Sequence, residues 1–124
     1  MLKKILLIDD DPGIHLIVVP ILSKAGYEVM SATTGEQGLQ LALEQRPHLI
    51  ILDVIMPGMK GREVCAKIKS YEVLKEVKVV FLTAQDSEDE IQAEFAVGAA
   101  THITKPVNPP DILAVVKGLI GQAA

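Results

Sequence analysis

Three carboxylates in a row, Asp9-Asp10-Asp11, close a short apolar run, Lys4-Ile5-Leu6-Leu7-Ile8. A second run, Leu49-Ile50-Ile51-Leu52, ends in Asp53, and a third, Val79-Val80-Phe81-Leu82, ends in Thr83. A fourth, shorter and less apolar, spans Thr101 to Thr104 and is followed by Lys105-Pro106. If each run is a strand, each delivers a polar group at its C-terminal end. In an open parallel sheet those ends share one rim, which is where such sheets bind ligands. Carboxylates, a hydroxyl and an ammonium gathered there suit a divalent cation and a phosphoryl group. Taken singly, each group has a plainer role. The acids would favour a helix N-terminus at Pro12, Thr83 would cap a turn, and Lys105 would be a solvated charge. Four such groups at four strand ends favour a site.

Crowding Asp9, Asp10 and Asp53 together would raise carboxylate pKa values unless a cation compensates. Mg²⁺ fits that chemistry, because it prefers oxygen ligands, keeps several waters and needs only one or two protein carboxylates. Lys105 would add a fixed positive charge at the same rim.

The elements that must hold these groups alternate along the chain. Ile5 to Ile8 is a continuous apolar run, as in a strand covered on both faces. Pro12 opens a helix whose apolar positions are Ile14, Ile17, Val18, Ile21, Leu22 and Ala25, with Gly26 as its stop. Pro20 conflicts with that helix and predicts a kink near it. Tyr27 to Ala32 reads as strand two. Thr34 caps a helix carrying Leu39, Leu41, Ala42 and Leu43, which ends by Pro47. Leu49 to Asp53 is strand three, Met56-Pro57-Gly58 is a turn, and Arg62 to Lys69 is a helix with Val64, Cys65 and Ile68 on one side. Val77 to Leu82 is strand four. Ser87-Glu88-Asp89-Glu90 forms a capping box for a helix running through Ile91 and Phe95 to Gly98. Thr101 to Thr104 is strand five, and Asn108 caps a last helix with Pro109 in its first turn. Five β-α units joined by short loops predict an α/β fold: a parallel sheet, doubly wound, with helices on both faces.

The bulk composition agrees. The 124 residues suit one domain, and 49% hydrophobic residues are enough to fill its core. Aromatics make up only 3%, so Ile, Val, Leu and Ala do the packing. A net charge of −4 without a basic stripe argues against direct nucleic-acid binding. The single cysteine, Cys65, cannot form an internal disulfide and reads as a core residue, consistent with a reducing cytoplasm. No stretch approaches a membrane span, and the apolar run behind Met1-Leu2-Lys3-Lys4 is too short for a signal peptide.

The set Asp9-Asp10, Asp53, Thr83-Ala84 and Lys105-Pro106 resembles the receiver domain of two-component response regulators. Asp53-Val54-Ile55-Met56-Pro57-Gly58-Met59-Lys60-Gly61 is similar to that family's loop after the phosphoacceptor strand, and Ala25-Gly26-Tyr27-Glu28-Val29 and Gly98-Ala99 match further positions. The likeness covers residues 1–124 in order, as one receiver domain. It implies a flavodoxin-like five-stranded sheet of order 2-1-3-4-5 with five helices in three α/β/α layers. It also implies a cytoplasmic signalling switch rather than a conventional enzyme. Asp53 would be the phosphoacceptor. Asp10 and Asp53 would bind Mg²⁺ directly, Asp9 would do so through water, and the backbone carbonyl of Ile55 would complete the ligands. Asp11 matches an often acidic position but is not assigned as a ligand. Thr83 would hydrogen-bond a phosphoryl oxygen in the active state. Lys105 would pair with the phosphoryl group, with a cis peptide before Pro106 aiming it into the pocket.

The implied reaction is phosphoryl transfer from a phosphohistidine of a sensor histidine kinase or phosphotransfer protein to Asp53. Small donors such as acetyl phosphate would also serve, and slow hydrolysis would reset the switch. Ile55, bulky and β-branched, could hinder an attacking water, and Gln85 could help set that rate. In the family an aromatic residue three positions before the lysine swings behind the threonine. Here that residue is His102, which either swings, with pH sensitivity, or is simply an exposed strand-edge residue. Val107 replaces a usual Phe and should loosen packing. Ala100-Thr101 and Val115 lack the charges by which DNA-binding subfamilies dimerise.

Leu16 and Val19, expected off the core face of the first helix, could receive a kinase helix or be ordinary exposed residues. Phe95 could report activation. The downstream partner is either a separate protein or an output domain of a longer chain. Two other readings compete: an interaction module without phosphorylation, which the intact acid–Thr–Lys set disfavours, and a flavin or nucleotide protein, which would need a glycine-rich fingerprint the sequence lacks. His15, His48, His102 and Cys65 show no zinc-ligand spacing.

Overall fold

The computed structural model describes residues 2–84 and 87–124. The elements follow in the order β1 (Lys4–Ile8), α1 (Pro12–Lys24), β2 (Glu28–Ala32), α2 (Gly35–Gln45), β3 (Leu49–Asp53), α3 (Gly61–Ser70), β4 (Lys78–Thr83), α4 (Glu88–Ala96), β5 (Thr101–Thr104) and α5 (Pro109–Ile120), with a 3₁₀ turn at Glu72–Leu74. All strand pairs are parallel, in the order β2-β1-β3-β4-β5. This is the expected three-layer α/β/α architecture.

Alternation along the strands builds two cores, because successive side chains point to opposite faces. Leu6, Ile8, Ile50, Leu52, Val79 and Phe81 pack with Ala42 of α2 and Val64, Cys65 and Ile68 of α3. Ile5, Leu7, Leu49, Ile51, Val80 and Leu82 pack with Ile14, Val18 and Leu22 of α1 and Ile112 and Val116 of α5. Each large aliphatic buried in this way contributes about 1.5–3 kcal/mol of transfer free energy. The central strand β3 is buried along its whole length, so Asp53 at its end is anchored by four consecutive core residues.

Local chemistry fixes where the elements begin. Thr34, Ser87 and Asn108 each accept from a backbone N–H of the helix they precede. Asp11 does the same for α1, accepting from Gly13 N at 2.9 Å. One member of the acidic triplet is thus a helix cap. Gly26 and Gly98, with φ of 101° and 102°, turn the chain after α1 and α4 in the left-handed region that suits glycine.

Several expectations need correction. The buried stripe of α1 is centred on Val18, so Ile17 falls at its border and is exposed, and Ala25 lies beyond the last turn and is also exposed. Val19, expected off the core, is half-buried against it, while Leu16 is 78% exposed. As expected, the helix continues through Pro20, which sits on the exposed side. Strand β2 starts at Glu28 rather than Tyr27, because Tyr27 N donates back to Leu22 O of α1 at 3.2 Å and pairing with β1 begins at Glu28; the Tyr27 hydroxyl donates to Gly121 O at 2.6 Å. Strand β4 runs from Lys78 to Thr83, one residue later than expected, and α4 stops at Ala96. No helix among the described residues is long and apolar enough to cross a membrane.

Candidate functional site

The C-terminal ends of β1, β3, β4 and β5 meet at one rim, because the strands are parallel and in register. Asp53 pairs with Leu82, one residue short of Thr83, and Thr83 pairs with Thr104, one residue short of Lys105. The four sequence-predicted groups are therefore brought together by topology. Asp9 is fully buried, Asp53 is 6% exposed, Thr83 is buried and Asp10 is exposed. Carboxylate oxygens of Asp9, Asp10 and Asp53 lie within 4.8 Å of one another.

Lys105 is the counter-charge. Its Nζ stands 3.2 Å from Asp9 Oδ2 and 3.4 Å from Asp53 Oδ1. The peptide between Lys105 and Pro106 is cis, and Lys105 N donates to Thr83 O at 2.8 Å. Burial works against the ammonium, yet Asp9 and Asp53 hold its pKa above the ordinary lysine value. The Asp53 pKa is raised as well, which for a carboxylic acid disfavours the charged form. Burial and the neighbouring Asp9 push it up to about 6, while Lys105 pulls it down. An acid so placed is short of positive charge, which is the condition a bound cation relieves. The three-carboxylate donor set and this electrostatic deficit both fit Mg²⁺.

Asp9 is held on several sides. Its Oδ1 accepts from Asp11 N at 2.9 Å, and its carbonyl oxygen lies 2.7 Å from His15 Nε2. His15 was not singled out as a site residue by its sequence position. Its one signal is placement a turn into the helix that follows the acids.

The loop after Asp53 owes its path to glycine. Gly61 N donates to Val54 O at 2.9 Å, and a Cβ at Gly61 would stand 2.0 Å from Asp53 O. That close approach folds Val54 to Lys60 back over the rim. It leaves Ile55 61% exposed beside Asp53 while Met56 is buried. A cavity lined by Val54, Ile55, Lys60, Arg62, Glu63 and Glu90 adjoins this loop.

The model of one family, described as the response regulator receiver domain, matches residues 5–117. The chain belongs to this family. As a receiver domain it is a signalling module of two-component systems, and receiver domains bind Mg²⁺ at an acidic pocket such as this one. It is 35% identical to the alkaline phosphatase synthesis transcriptional regulatory protein PhoP of Bacillus subtilis over 99% of this chain and 50% of that one. It is also 35% identical to sporulation initiation phosphotransferase F of the same organism, over 94% of this chain and 93% of that one. The receiver thus spans about half the length of one relative and nearly all of the other. Chemotaxis protein CheY4 of Vibrio cholerae superimposes with a TM-score of 0.93 at 33% identity, covering 97% of this chain and 100% of that one.

His102 occupies the position the sequence marked as a departure. It is half-buried, with Nδ1 3.8 Å from Glu94 Oε1 of α4. Glu94 itself is buried, which the charge-rich stretch around it concealed. Val107 is half-buried on the α1/α5 side of the sheet. Gln85, linked above to the hydrolysis rate, lies outside the described residues.

Proposed function

We propose that residues 1–124 form one receiver domain in which Asp53 accepts a phosphoryl group from a phosphohistidine of a sensor histidine kinase or a phosphotransfer protein. The observation that carries this reading is the convergence of Asp9, Asp10, Asp53 and Lys105, with one carboxylate, Asp53, nearly buried at the centre. In the transfer, an Asp53 carboxylate oxygen forms a bond to phosphorus as the bond to the imidazole nitrogen breaks. The electron pair of the broken bond leaves with the imidazole. Asp53 needs no general base, since above about pH 6 it is already ionised.

Positioning and charge neutralisation supply the catalysis. Lys105, already within 3.4 Å of Asp53, moves its charge from the carboxylate pair to the equatorial phosphoryl oxygens. Mg²⁺, held by Asp10, Asp53, the Ile55 carbonyl and, through water, Asp9, would offset the charge of incoming and attacking oxygens. Thr83 donates to a phosphoryl oxygen in the phosphorylated state, and the surrounding α4–β5 surface changes with it. That change alters binding of a downstream protein or output domain. Water then hydrolyses the acyl phosphate slowly, with Ile55 shielding one approach. The chain works in the cytoplasm, and makes no direct contact with nucleic acid or membrane.

The test is incubation with acetyl phosphate, with and without Mg²⁺, of wild type and Asp53→Asn. Mg²⁺-dependent labelling of wild type alone supports the reading. Equal labelling of both proteins refutes it.

A further inference from the structure

Helix α4 carries a buried acid with no hydrogen bond to hold it. Glu94 is 1% exposed, and neither carboxylate oxygen has a hydrogen-bond partner among the described residues. An unpartnered carboxylate of this kind is costly unless it is protonated or faces a cation. The groups that face it are few. From β5 comes His102, 20% exposed at its side chain, with Nδ1 at 3.8 Å, too long for a hydrogen bond but near enough for an ion pair. From α3 comes Arg62, committed to Glu90 Oε2 at 2.7 Å. Glu90, one turn earlier on α4, adds a like charge. The Cys65 thiol of α3 donates to Val97 O at 3.3 Å, just past the end of α4, and burial pushes its pKa up to about 11, so it stays neutral.

We propose that the proton on the buried Glu94 carboxyl holds α4 against β5, and that loss of this proton as pH rises releases the helix. The protonated carboxyl brings no charge into this buried position. Removing that proton to solvent leaves the Glu94 anion buried with no partner. Arg62, paired with Glu90, favours the anion from a distance but makes no hydrogen bond to it. Burial raises the Glu94 pKa above the ordinary value, with His102 and Arg62 opposing and Glu90 assisting, so the closed helix binds protons more tightly than the open one. Closure is therefore favoured on the acid side and is lost as pH climbs. The exposed Phe95 rides on the same helix, so any partner reading this face would see the change.

The test is residue-resolved amide hydrogen exchange of the full chain between about pH 4 and 8, a range that starts near the ordinary carboxylate value. Rates are expressed as protection factors, without Mg²⁺ or any phosphodonor. Its outcome is thus separate from whether Asp53 accepts phosphate. The opening constant of residues 88–96 should rise by up to about tenfold per pH unit through the titration, as one-proton release requires, while β3 stays protected. Glu94→Gln should keep α4 protected at every pH. His102→Asn removes a group that opposes the raised Glu94 pKa, so the closed helix should keep its proton to higher pH and the profile should move upward. A flat wild-type profile, the same slope in Glu94→Gln, or an unshifted profile in His102→Asn overturns the proposal.

Discussion

Replacing Asp53 by Asn should stabilise the protein at neutral pH in the absence of divalent cations. Asp53 rises from an ordinary 3.8 to about 6, chiefly through burial and the nearby Asp9. A folded-state value above the unfolded one means that the native state holds the proton more tightly. Ionised Asp53 then costs stability. The cost is absent below about pH 4, grows through the interval between the two values, and is complete above about pH 6. At about 1.4 kcal/mol for each tenfold in proton affinity, the upper value is about 3 kcal/mol. The rim is open to water on one side, and screening brings the expected figure to about 1–2 kcal/mol. For a domain of this size that corresponds to a rise in Tm of roughly 4–8 °C. Thermal melts by circular dichroism in EDTA, from pH 4 to pH 7.5, should show the two proteins converging at the acid end and separating through pH 6. Added Mg²⁺ should close the gap by stabilising wild type more than the variant. A variant less stable than wild type at pH 7, or a gap that does not change with pH, refutes the electrostatic account of the rim.

Lys105→Met removes the ammonium facing Asp9 and Asp53, and should cost about 1–2 kcal/mol in urea denaturation at pH 7 after discounting for partial exposure. It should also slow phosphoryl uptake from acetyl phosphate; an unchanged rate would remove Lys105 from the mechanism. Gly61→Ala drives a Cβ to 2.0 Å from a backbone oxygen and should destabilise by about 3 kcal/mol. Gly38→Ala meets the Ile8 side chain instead, at 2.3 Å from Cδ1 and 2.7 Å from Cγ1, and should cost less because a side chain can shift where a backbone oxygen cannot. Equal losses at the two sites in chemical denaturation would contradict this reading of the loop. Ile55→Asn should hasten loss of the acyl phosphate, followed by the decay of labelled protein after donor removal, and equal lifetimes would show that Ile55 shields nothing.

The sheet was legible because its strands are unbroken apolar runs, each with a polar residue at the end, and because parallel pairing carries those ends to one edge. Asp9, Asp53, Thr83 and Lys105 lie together for that reason. Helix faces were less legible. On α1 apolar residues occupy more than one side, so spacing alone could not separate the buried Val18 from the exposed Ile17. Asp11, not assigned as a ligand, takes the helix-terminus role that the sequence offered for the acids as a group. Glu94 was hidden for a different reason. It sits among Glu88, Asp89 and Glu90, where acids normally face water, and its burial depends on β5, which follows it in the chain. His15 shares that character, because its contact with the Asp9 carbonyl is set by how α1 folds back on its own loop.

The most direct measurement is the position of the covalent phosphate. After treatment with acetyl phosphate and Mg²⁺, borohydride reduction converts an aspartyl phosphate to homoserine, and peptide sequencing by mass spectrometry locates it. Conversion at residue 53, and its loss when Mg²⁺ is withheld, is the predicted result. Conversion at Asp9, Asp10 or any other acid, or none at all in a folded sample, contradicts the account.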